Sequence, residues 1–269
     1  MAAPRRFWQD MTTAEFAALD AARVIAVLPV AAIEQHGPHL PLAVDATINR
    51  GVLERALALM PESLPVTVLP ALPVGKSDEH GGFAGTLSLS TETVLRLWSE
   101  VGDSVARAGI RKLVLFNSHG GQPQLLDLVA GGLRARHRML AVAVNAYRLY
   151  EAHDMFPAAE LQHGIHAGAV ETSIMLHLAP ELVRRELAAR AASLSETMAA
   201  DYRHLSPIGR IAPFAWQTQD LNPTGVCGDP TLADAALGAR LVEQAAVKLV
   251  EILAEVDRFP LERLDVAPA

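Results

Sequence analysis

Short, almost wholly apolar runs alternate along this chain with segments whose apolar residues recur at helical spacing. The runs cover residues 24–30, 66–69, 112–116 and 139–144. Strands that are apolar throughout have both faces buried, and the helices between them supply the cover. The alternation therefore predicts an α/β fold with a mostly parallel sheet that carries helices on both faces.

Two helices are also predicted in the second half of the chain. Residues 181–203 are rich in Ala and Arg and predict a charged surface helix, whereas residues 207–228 are irregular. Thr231 is expected to cap a long last helix that runs to about Val256. No repeat, low-complexity segment or linker divides the sequence, so residues 1–269 are predicted to form a single domain.

The composition excludes several classes of protein. Of the 269 residues, 51% are hydrophobic and 20% are charged, which is enough to bury a large core. Lys and Arg total 23 against 30 Asp and Glu, a net charge of −7 without a basic cluster, so no nucleic-acid partner is expected. The single cysteine, Cys227, and the lack of an apolar run of about 18 residues predict a cytoplasmic protein with no disulfide framework and no membrane partner.

Polar side chains with metal-binding chemistry follow the first apolar run. Glu34, His36 and Asp45 lie within a short stretch that also contains Gly37 and Pro38. Glu34 and His36 are two residues apart, so in extended backbone their side chains leave on the same face, and the turn can return Asp45 to them. Carboxylate with neutral imidazole suits zinc, manganese or iron, and a carboxylate can bridge two ions. The alternative is a polar loop with solvated histidines.

A second polar cluster, residues 117–121, follows the third apolar run and contains His119. Because the carboxyl ends of parallel strands meet at one edge of a sheet, both clusters are predicted to lie at that edge. A loop rich in Gly, Pro and Ser over residues 70–90 carries Glu79 and His80, and a loop of that length is usually functional. The chain has no G-x-S-x-G, Walker, H-E-x-x-H or paired C-x-x-C motif, which leaves Glu, His and Asp at strand ends to carry the chemistry.

Five motifs, taken in order, resemble the creatininase (creatinine amidohydrolase) family over most of the chain. They are Glu34-Gln35-His36-Gly37-Pro38-His39-Leu40-Pro41 with Asp45, Asp78-Glu79-His80 with Gly85-Thr86-Leu87-Ser88-Leu89, Asn117-Ser118-His119-Gly120-Gly121, His166-Ala167-Gly168 with Glu171-Thr172-Ser173, and Gly225 to Pro230. Several ordered motifs are more specific than any one of them. The resemblance implies a three-layer α/β/α sandwich, metal-dependent hydrolysis, two adjacent divalent ions per chain and a homo-oligomer such as a hexamer.

The resemblance also implies roles for individual residues. The implied metal ligands are Glu34, His36, Asp45 and His119, with Asp45 as the bridge between two ions. Glu171 corresponds to a carboxylate that completes or flanks the second ion; the alternative is that it only favours the dipole of its helix. His166 is implied to lie near the reacting group as a catalytic residue that protonates the leaving nitrogen, with Glu171 as an alternative proton acceptor.

Three further residues are predicted to contact or orient substrate, namely His39, Glu79 and His80. Each has a structural alternative. His39 follows His36 closely and could instead make a structural hydrogen bond. Glu79 and His80 could instead close the loop that carries them.

This chain departs from creatininase itself at two positions. In that enzyme a metal-binding carboxylate stands two residues after the histidine of the third motif, where this chain has Gly121. Either Glu171 supplies the missing ligand or the second ion is weak. Many relatives with the Gly-Gly form carry an acidic residue soon after His-Ala-Gly, where this chain has Ala169. Creatinine is therefore not the expected substrate.

The sequence as a whole predicts a metal-dependent amidohydrolase in which a water activated by the ions attacks a small-molecule substrate. The expected bond is a small, cyclic amide, or a peptide-like C–N bond in the biosynthesis of a small molecule, and not an ordinary peptide bond. Two alternatives stay open. One is a hydrolase of a formamide, lactone or C–C bond on the same metal site, and the other is a non-catalytic binding or scaffold protein of the same fold.

Overall fold

The central sheet has four parallel strands in the order β2-β1-β3-β4, in a computed structural model that describes residues 4–209 and 211–265. The strands are β1 (Ile25–Val30), β2 (Val66–Val68), β3 (Lys112–Asn117) and β4 (Leu140–Asn145). Each strand lies on one of the apolar runs of the sequence. β1 pairs with β3 over its full length, which places Val30 opposite Asn117. The predicted parallel sheet is confirmed.

Helices connect the strands and cover both faces of the sheet. The α-helices are α1 (Thr13–Ala17), α2 (Val44–Leu59), α3 (Thr91–Arg107), α4 (Pro123–His137), α5 (Ala158–His163), α6 (Ala169–Leu178), α7 (Leu194–Asp201), α8 (Thr218–Leu221) and α9 (Ala235–Arg258). Short 3-10 turns lie at Trp8–Asp10, Asp78–His80, Ala146–Arg148, Pro180–Leu182, Arg185–Leu187, Pro230–Leu232 and Leu261–Leu264. Two short strands, β5 (Leu205–Ser206) and β6 (Ala212–Pro213), pair apart from the sheet. Among residues 4–209 and 211–265, no helix combines the length and the apolar character needed to cross a membrane.

Successive side chains of the strands enter two separate apolar cores. Val27 belongs to the core that includes Ile174 of α6 and the buried faces of α2 and α9. Its neighbour Leu28 belongs to the core on the opposite face, with Trp98 of α3 and Leu126 of α4. Full burial of one such aliphatic side chain stabilises the fold by about 1.5–3 kcal/mol. The expected three-layer α/β/α sandwich is confirmed.

The prediction of a continuous charged helix over residues 181–203 is wrong, because α7 is the one α-helix described in that range. The backbone N–H of Arg184 donates to the carbonyl of His39, and that of Ala191 donates to the carbonyl of Gly228. Backbone groups that pair with other parts of the chain cannot also form a helical ladder. This tertiary pairing overrides the local helix propensity of Ala and Arg.

Two helices start at positions that the sequence patterns do not mark. α2 already includes Asp45 in its first turn, so this residue lies on a helix and not in the loop before it. The last helix is capped by Asp234, whose carboxylate accepts from the N–H of Ala236 at 2.7 Å, and not by Thr231. Asp is among the preferred residues at this position because its side chain satisfies a free N–H group of the first turn.

Candidate metal centre

The carboxyl ends of β1 and β3 open into a cluster of buried carboxylates and imidazoles. Glu34 and His36 come from the loop after β1, Asp45 comes from the first turn of α2, and His119 comes from the loop after β3. All four residues are at most 2% exposed. The structure therefore brings the four predicted ligands together at one edge of the sheet.

Glu34, Asp45 and His119 form one compact group of possible ligand atoms. Nδ1 of His119 lies 3.2 Å from Oε2 of Glu34 and 3.2 Å from Oδ2 of Asp45. The ligand atoms of the group all lie within 4.8 Å of one another. Because zinc binds carboxylate oxygen and imidazole nitrogen at about 2.0–2.2 Å, this spacing suits a single cation.

A second group contains His36, Asp45 and Glu171, the last of which stands in the first turn of α6. Nε2 of His36 lies 3.8 Å from Oδ1 of Asp45 and 3.9 Å from Oε2 of Glu171. Asp45 thus turns Oδ2 toward the first group and Oδ1 toward the second. A carboxylate with one oxygen in each of two groups has the arrangement needed to bridge two cations.

Buried polar atoms without partners support cation binding at this place. Within the part of the chain that the structure describes, His36 Nε2 and Asp45 Oδ2 are buried and make no hydrogen bond. The 3.2 Å approach of His119 to Asp45 lacks hydrogen-bond geometry. A buried polar atom left unpaired costs about 1–3 kcal/mol. Divalent cations would satisfy both atoms, so the residues present fit a pair of such ions.

Backbone carbonyls determine which ring nitrogen of three histidines faces the cluster. Nδ1 of His36 donates to the carbonyl of Glu34 at 3.0 Å. Nε2 of His119 donates to the carbonyl of Lys76 at 3.0 Å, and Nε2 of His166 donates to the carbonyl of Gln35 at 2.7 Å. A carbonyl only accepts, so in the neutral form of each ring the other nitrogen carries a lone pair. These three imidazoles are therefore oriented to bind a cation or to accept a proton.

His80 has the opposite polarity. Its Nδ1 lies 2.8 Å from Nε2 of Gln35. The orientation of that amide is set by the N–H of Gly37, which donates to its Oε1, and by the carbonyl of Gly225, which accepts from its Nε2. Nδ1 of His80 therefore accepts a hydrogen bond, and the proton stands on Nε2, 3.4 Å from Oε1 of Glu34. In this tautomer His80 offers the site a hydrogen-bond donor, and it also belongs with Glu34 and Glu79 to a further group of possible ligand atoms.

The other predicted site residues lie beside these groups. Nε2 of His39 pairs with the hydroxyl of Thr172 at 3.0 Å, and His39 is buried. The ring of His166 lies 4.2 Å from that of His36 and 4.2 Å from that of His80, measured between centroids. Glu79 also lies within the cluster, 3.2 Å from Nε2 of His119. Contact of His39, Glu79 and His80 with substrate stays a prediction.

The electrostatics of the cluster favour positive charge between the carboxylates. Burial lowers the pKa of both His36 and His80 to about 3, so these rings are neutral. Burial, reinforced by the charge of Glu34, raises the pKa of Asp45 well above its ordinary value. Burial opposes a charge on His119, yet Glu34 and Asp45 hold its pKa well above the ordinary range. A divalent cation would supply the positive charge that these carboxylates favour.

Some side chains that hold the site were not identified from the sequence. The hydroxyl of Ser77 donates to Oε2 of Glu34 at 2.5 Å. Glu160 is buried, and its carboxylate accepts from the N–H groups of Ala169 at 2.7 Å and Asp229 at 2.8 Å, which ties the start of α6 to the turn before α9. The one signal for Ser77 is its place beside the second motif, and no sequence pattern marks Glu160.

The loop that carries His166 has an unusual backbone conformation. Ala167 has a φ of 55°, in the left-handed region that residues other than glycine rarely adopt. Its N–H donates to Oε2 of Glu171 at 2.6 Å, so a candidate ligand also holds this backbone. Conformations of this kind cluster at functional sites, where surrounding contacts maintain them.

The chain is similar to known proteins in sequence and in fold. The creatininase family model, described as creatinine amidohydrolase, matches residues 9–253. The mycofactocin precursor peptide peptidase of Mycobacterium tuberculosis is 36% identical over 221 residues, which cover 80% of this chain and 78% of that protein. The creatinine amidohydrolase of Pseudomonas putida is 33% identical over 194 residues, which cover 66% of this chain and 73% of that protein. A solved creatininase superimposes with a TM-score of 0.76 at 23% identity over 95% of this chain and 99% of its own, which shows a shared fold.

Proposed function

The chain belongs to the creatininase family of metal-dependent amidohydrolases, and on that premise we propose that it hydrolyses an amide bond in a peptide-derived substrate. The observation that carries the proposal is the position of Asp45, whose two oxygens face two separate groups of candidate ligands. The choice of a peptide-derived substrate is supported by the 36% identical relative that is named for a precursor peptide.

Two divalent cations fit the site. One would be held by Glu34, Asp45 and His119, and the other by His36, Asp45 and Glu171. When bound, such ions lower the pKa of water and polarise an amide carbonyl. Zinc, manganese and iron all accept carboxylate and imidazole ligands, so metal analysis has to identify the ion.

His166 is the residue that we assign to proton transfer. Its Nε2–H is held by the carbonyl of Gln35, so the lone pair is on Nδ1, which lies 4.0 Å from Oε1 of Glu34. A neutral imidazole in this orientation accepts a proton from the attacking water and returns it to the leaving nitrogen. The carboxylate of Glu171 is the alternative proton acceptor.

The exposure of Glu171 indicates the side from which substrate enters. Its side chain is 27% exposed, whereas the side chains of Asp45 and His119 are 3% and 2% exposed. Substrate that reaches the candidate ions therefore passes the first turn of α6.

His39 and His80 are proposed as further substrate contacts, His80 as a donor through Nε2–H. A cytoplasmic location and a homo-oligomer remain predictions.

A creatinine-like cyclic amide is the second candidate substrate. It is favoured by the 33% identity to the creatinine amidohydrolase of Pseudomonas putida. Gly121 argues against it, because the creatininase pattern has a metal-binding carboxylate at that position. The experiment described next separates the two candidate substrates.

The test uses purified protein loaded with zinc or manganese. Short peptides, creatinine and other cyclic amides are incubated with it, and products are identified by mass spectrometry. We expect cleavage of a C–N bond in a peptide-derived substrate, not of ordinary peptide bonds in general, and this cleavage should be lost on chelation and restored by the metal. Replacing His166 by Gln should keep the ions and slow turnover by about 10²–10⁴-fold. Protein that holds two ions and cleaves none of these amides would overturn the proposal, and cleavage of cyclic amides alone would favour the second candidate.

A further inference from the structure

Glu79 approaches His119 from the side of the ring that faces away from the candidate cation. Nδ1 of His119 lies between Glu34 and Asp45, whereas Nε2 donates to the carbonyl of Lys76 at 3.0 Å. Oε1 of Glu79 lies 3.2 Å from this same Nε2. A carboxylate is thus placed directly behind a candidate ligand.

Other contacts hold Glu79 in this position independently of His119. The ammonium group of Lys76 donates to its Oε2 at 3.0 Å, and the hydroxyl of Thr218 donates to its backbone carbonyl at 2.9 Å. Glu79 is 9% exposed, and its Oε1 makes no hydrogen bond among residues 4–209 and 211–265. The ion pair with the Lys76 ammonium group favours the ionised form of this carboxylate.

Gly121 leaves open the space that this carboxylate fills. A Cβ atom added at Gly121 would lie 1.4 Å from Oε1 of Glu79 and 2.5 Å from Nε2 of His119. Any larger residue at this position would therefore displace the contact between the carboxylate and the imidazole. The neighbouring Gly120 differs, because a Cβ atom added there meets nothing within 4 Å.

We propose that Glu79 is a positioning residue that acts through His119 to set the affinity of one of the two cation sites. This inference rests on the proposed function and assigns a further role within the same site. A negative charge behind the Nε2–H group holds the ring in place and makes Nδ1 a stronger ligand. The effect should be confined to the site that contains His119, since no hydrogen bond or ion pair links Glu79 to His36 or Glu171 in the described ranges.

The experiment is a zinc titration of the metal-free full-length protein in competition with a chromophoric chelator. Glu79→Gln keeps the size of the side chain and removes its charge. We expect one of the two zinc-binding steps to weaken by about 10–100-fold, with the other step within twofold of the wild type. Glu171→Gln should weaken the opposite step. Equal urea midpoints for the metal-free wild type and Glu79→Gln would show that the variant is folded.

Two glycine variants provide a matched pair that leaves every candidate ligand unchanged. Gly121→Ala should weaken the same step as Glu79→Gln, whereas Gly120→Ala should bind zinc as the wild type does. Unchanged zinc binding by Glu79→Gln, or equal weakening of both steps, would overturn the proposal. So would a higher KM with both zinc steps intact, because that result would place Glu79 in contact with substrate. A wild type that binds zinc and cleaves no amide would overturn the proposed function, and the titration would still decide the role of Glu79.

Discussion

The two ends of β1 and β3 both bury ionisable side chains, but among the described residues the carboxyl end has buried side-chain atoms without a hydrogen bond. At the amino end Lys112 is 3% exposed, and its ammonium group donates to the carbonyl of Asp257 in α9 at 2.6 Å. At the carboxyl end Asp45 is 2% exposed, and its Oδ2 has no hydrogen bond within the described residues. Burial of a charge is therefore not by itself a sign of a ligand site, whereas burial without a partner is.

The balance of charge also differs between the two ends. At the amino end, Arg23 pairs with Asp257 at 3.1 Å and Arg111 pairs with Asp265 at 2.7 Å. The carboxyl end instead gathers carboxylates, whose mutual repulsion destabilises the fold unless a cation is bound. We therefore expect substitutions at the carboxyl end to change cation binding and substitutions at the amino end to change the free energy of unfolding.

The largest effect is expected for Asp45→Asn. Because this side chain is shared by both groups of candidate ligands, its loss should weaken zinc binding at both sites by roughly 100-fold or more. Metal content after gel filtration, measured by mass spectrometry, should fall from about two ions per chain to nearly none. Asp257→Asn at the amino end is the matched control and should keep both ions. Full metal retention by Asp45→Asn would show that the carboxyl ends of the strands do not differ from the amino ends in their role in metal binding.

Lys112→Met should give the next largest effect, and it should act on stability. The apolar stem can be kept by Met, but the carbonyl of Asp257 loses its donor. Leaving such a partly buried acceptor unpaired costs about 1–3 kcal/mol. Urea unfolding of the metal-free proteins measures this loss, and metal content should stay at the wild-type value. A lower metal content without loss of stability would contradict the assignment of Lys112 and the amino end of the sheet to stability rather than to metal binding.

Metal-free Asp45→Asn should unfold at a higher urea concentration than the metal-free wild type. Folding raises the pKa of Asp45, so its ionised form destabilises the folded state at neutral pH. We therefore expect the free energy of unfolding of the metal-free variant to exceed that of the metal-free wild type. A less stable variant would mean that the carboxylate holds the fold together, as Lys112 does.

Arg23→Ala should have the smallest effect. Its ion pair with Asp257 is largely exposed at Arg23, and such pairs contribute about 0–1 kcal/mol. The urea midpoint should change little and the metal content should not change. A loss of stability as large as that of Lys112→Met would show that exposed ion pairs also stabilise the amino end of the sheet.

The sheet and the meeting of its strand ends could be predicted because both follow from local patterns. The apolar runs were long enough to specify strands, and parallel pairing then places Glu34 and His119 at the same edge. The failed helix over residues 181–203 shows the limit of this reasoning. Its Ala and Arg residues favour a helix, but pairing of Ala191 with Gly228 depends on contacts that no local pattern contains.

The sequence was less informative about which side chains hold the candidate ligands. Asp45 was recognised, but its place on α2 was not, because the apolar spacing of that helix becomes clear only from Ile48 onward. Glu160 lies in an ordinary Ala-rich segment and becomes visible as a buried anchor only when the N–H groups of Ala169 and Asp229 surround it. The roles of residues that depend on long-range hydrogen bonds can be assigned only from the three-dimensional structure.

The central claim is that Asp45 joins two cations, and a crystal of the zinc-loaded protein tests it most directly. Anomalous difference maps recorded on both sides of the zinc absorption edge should show two peaks. We expect each peak at about 2.0–2.2 Å from a different oxygen of Asp45, one with His119 and the other with His36. A single peak, or two peaks of which neither contacts Asp45, would contradict the account.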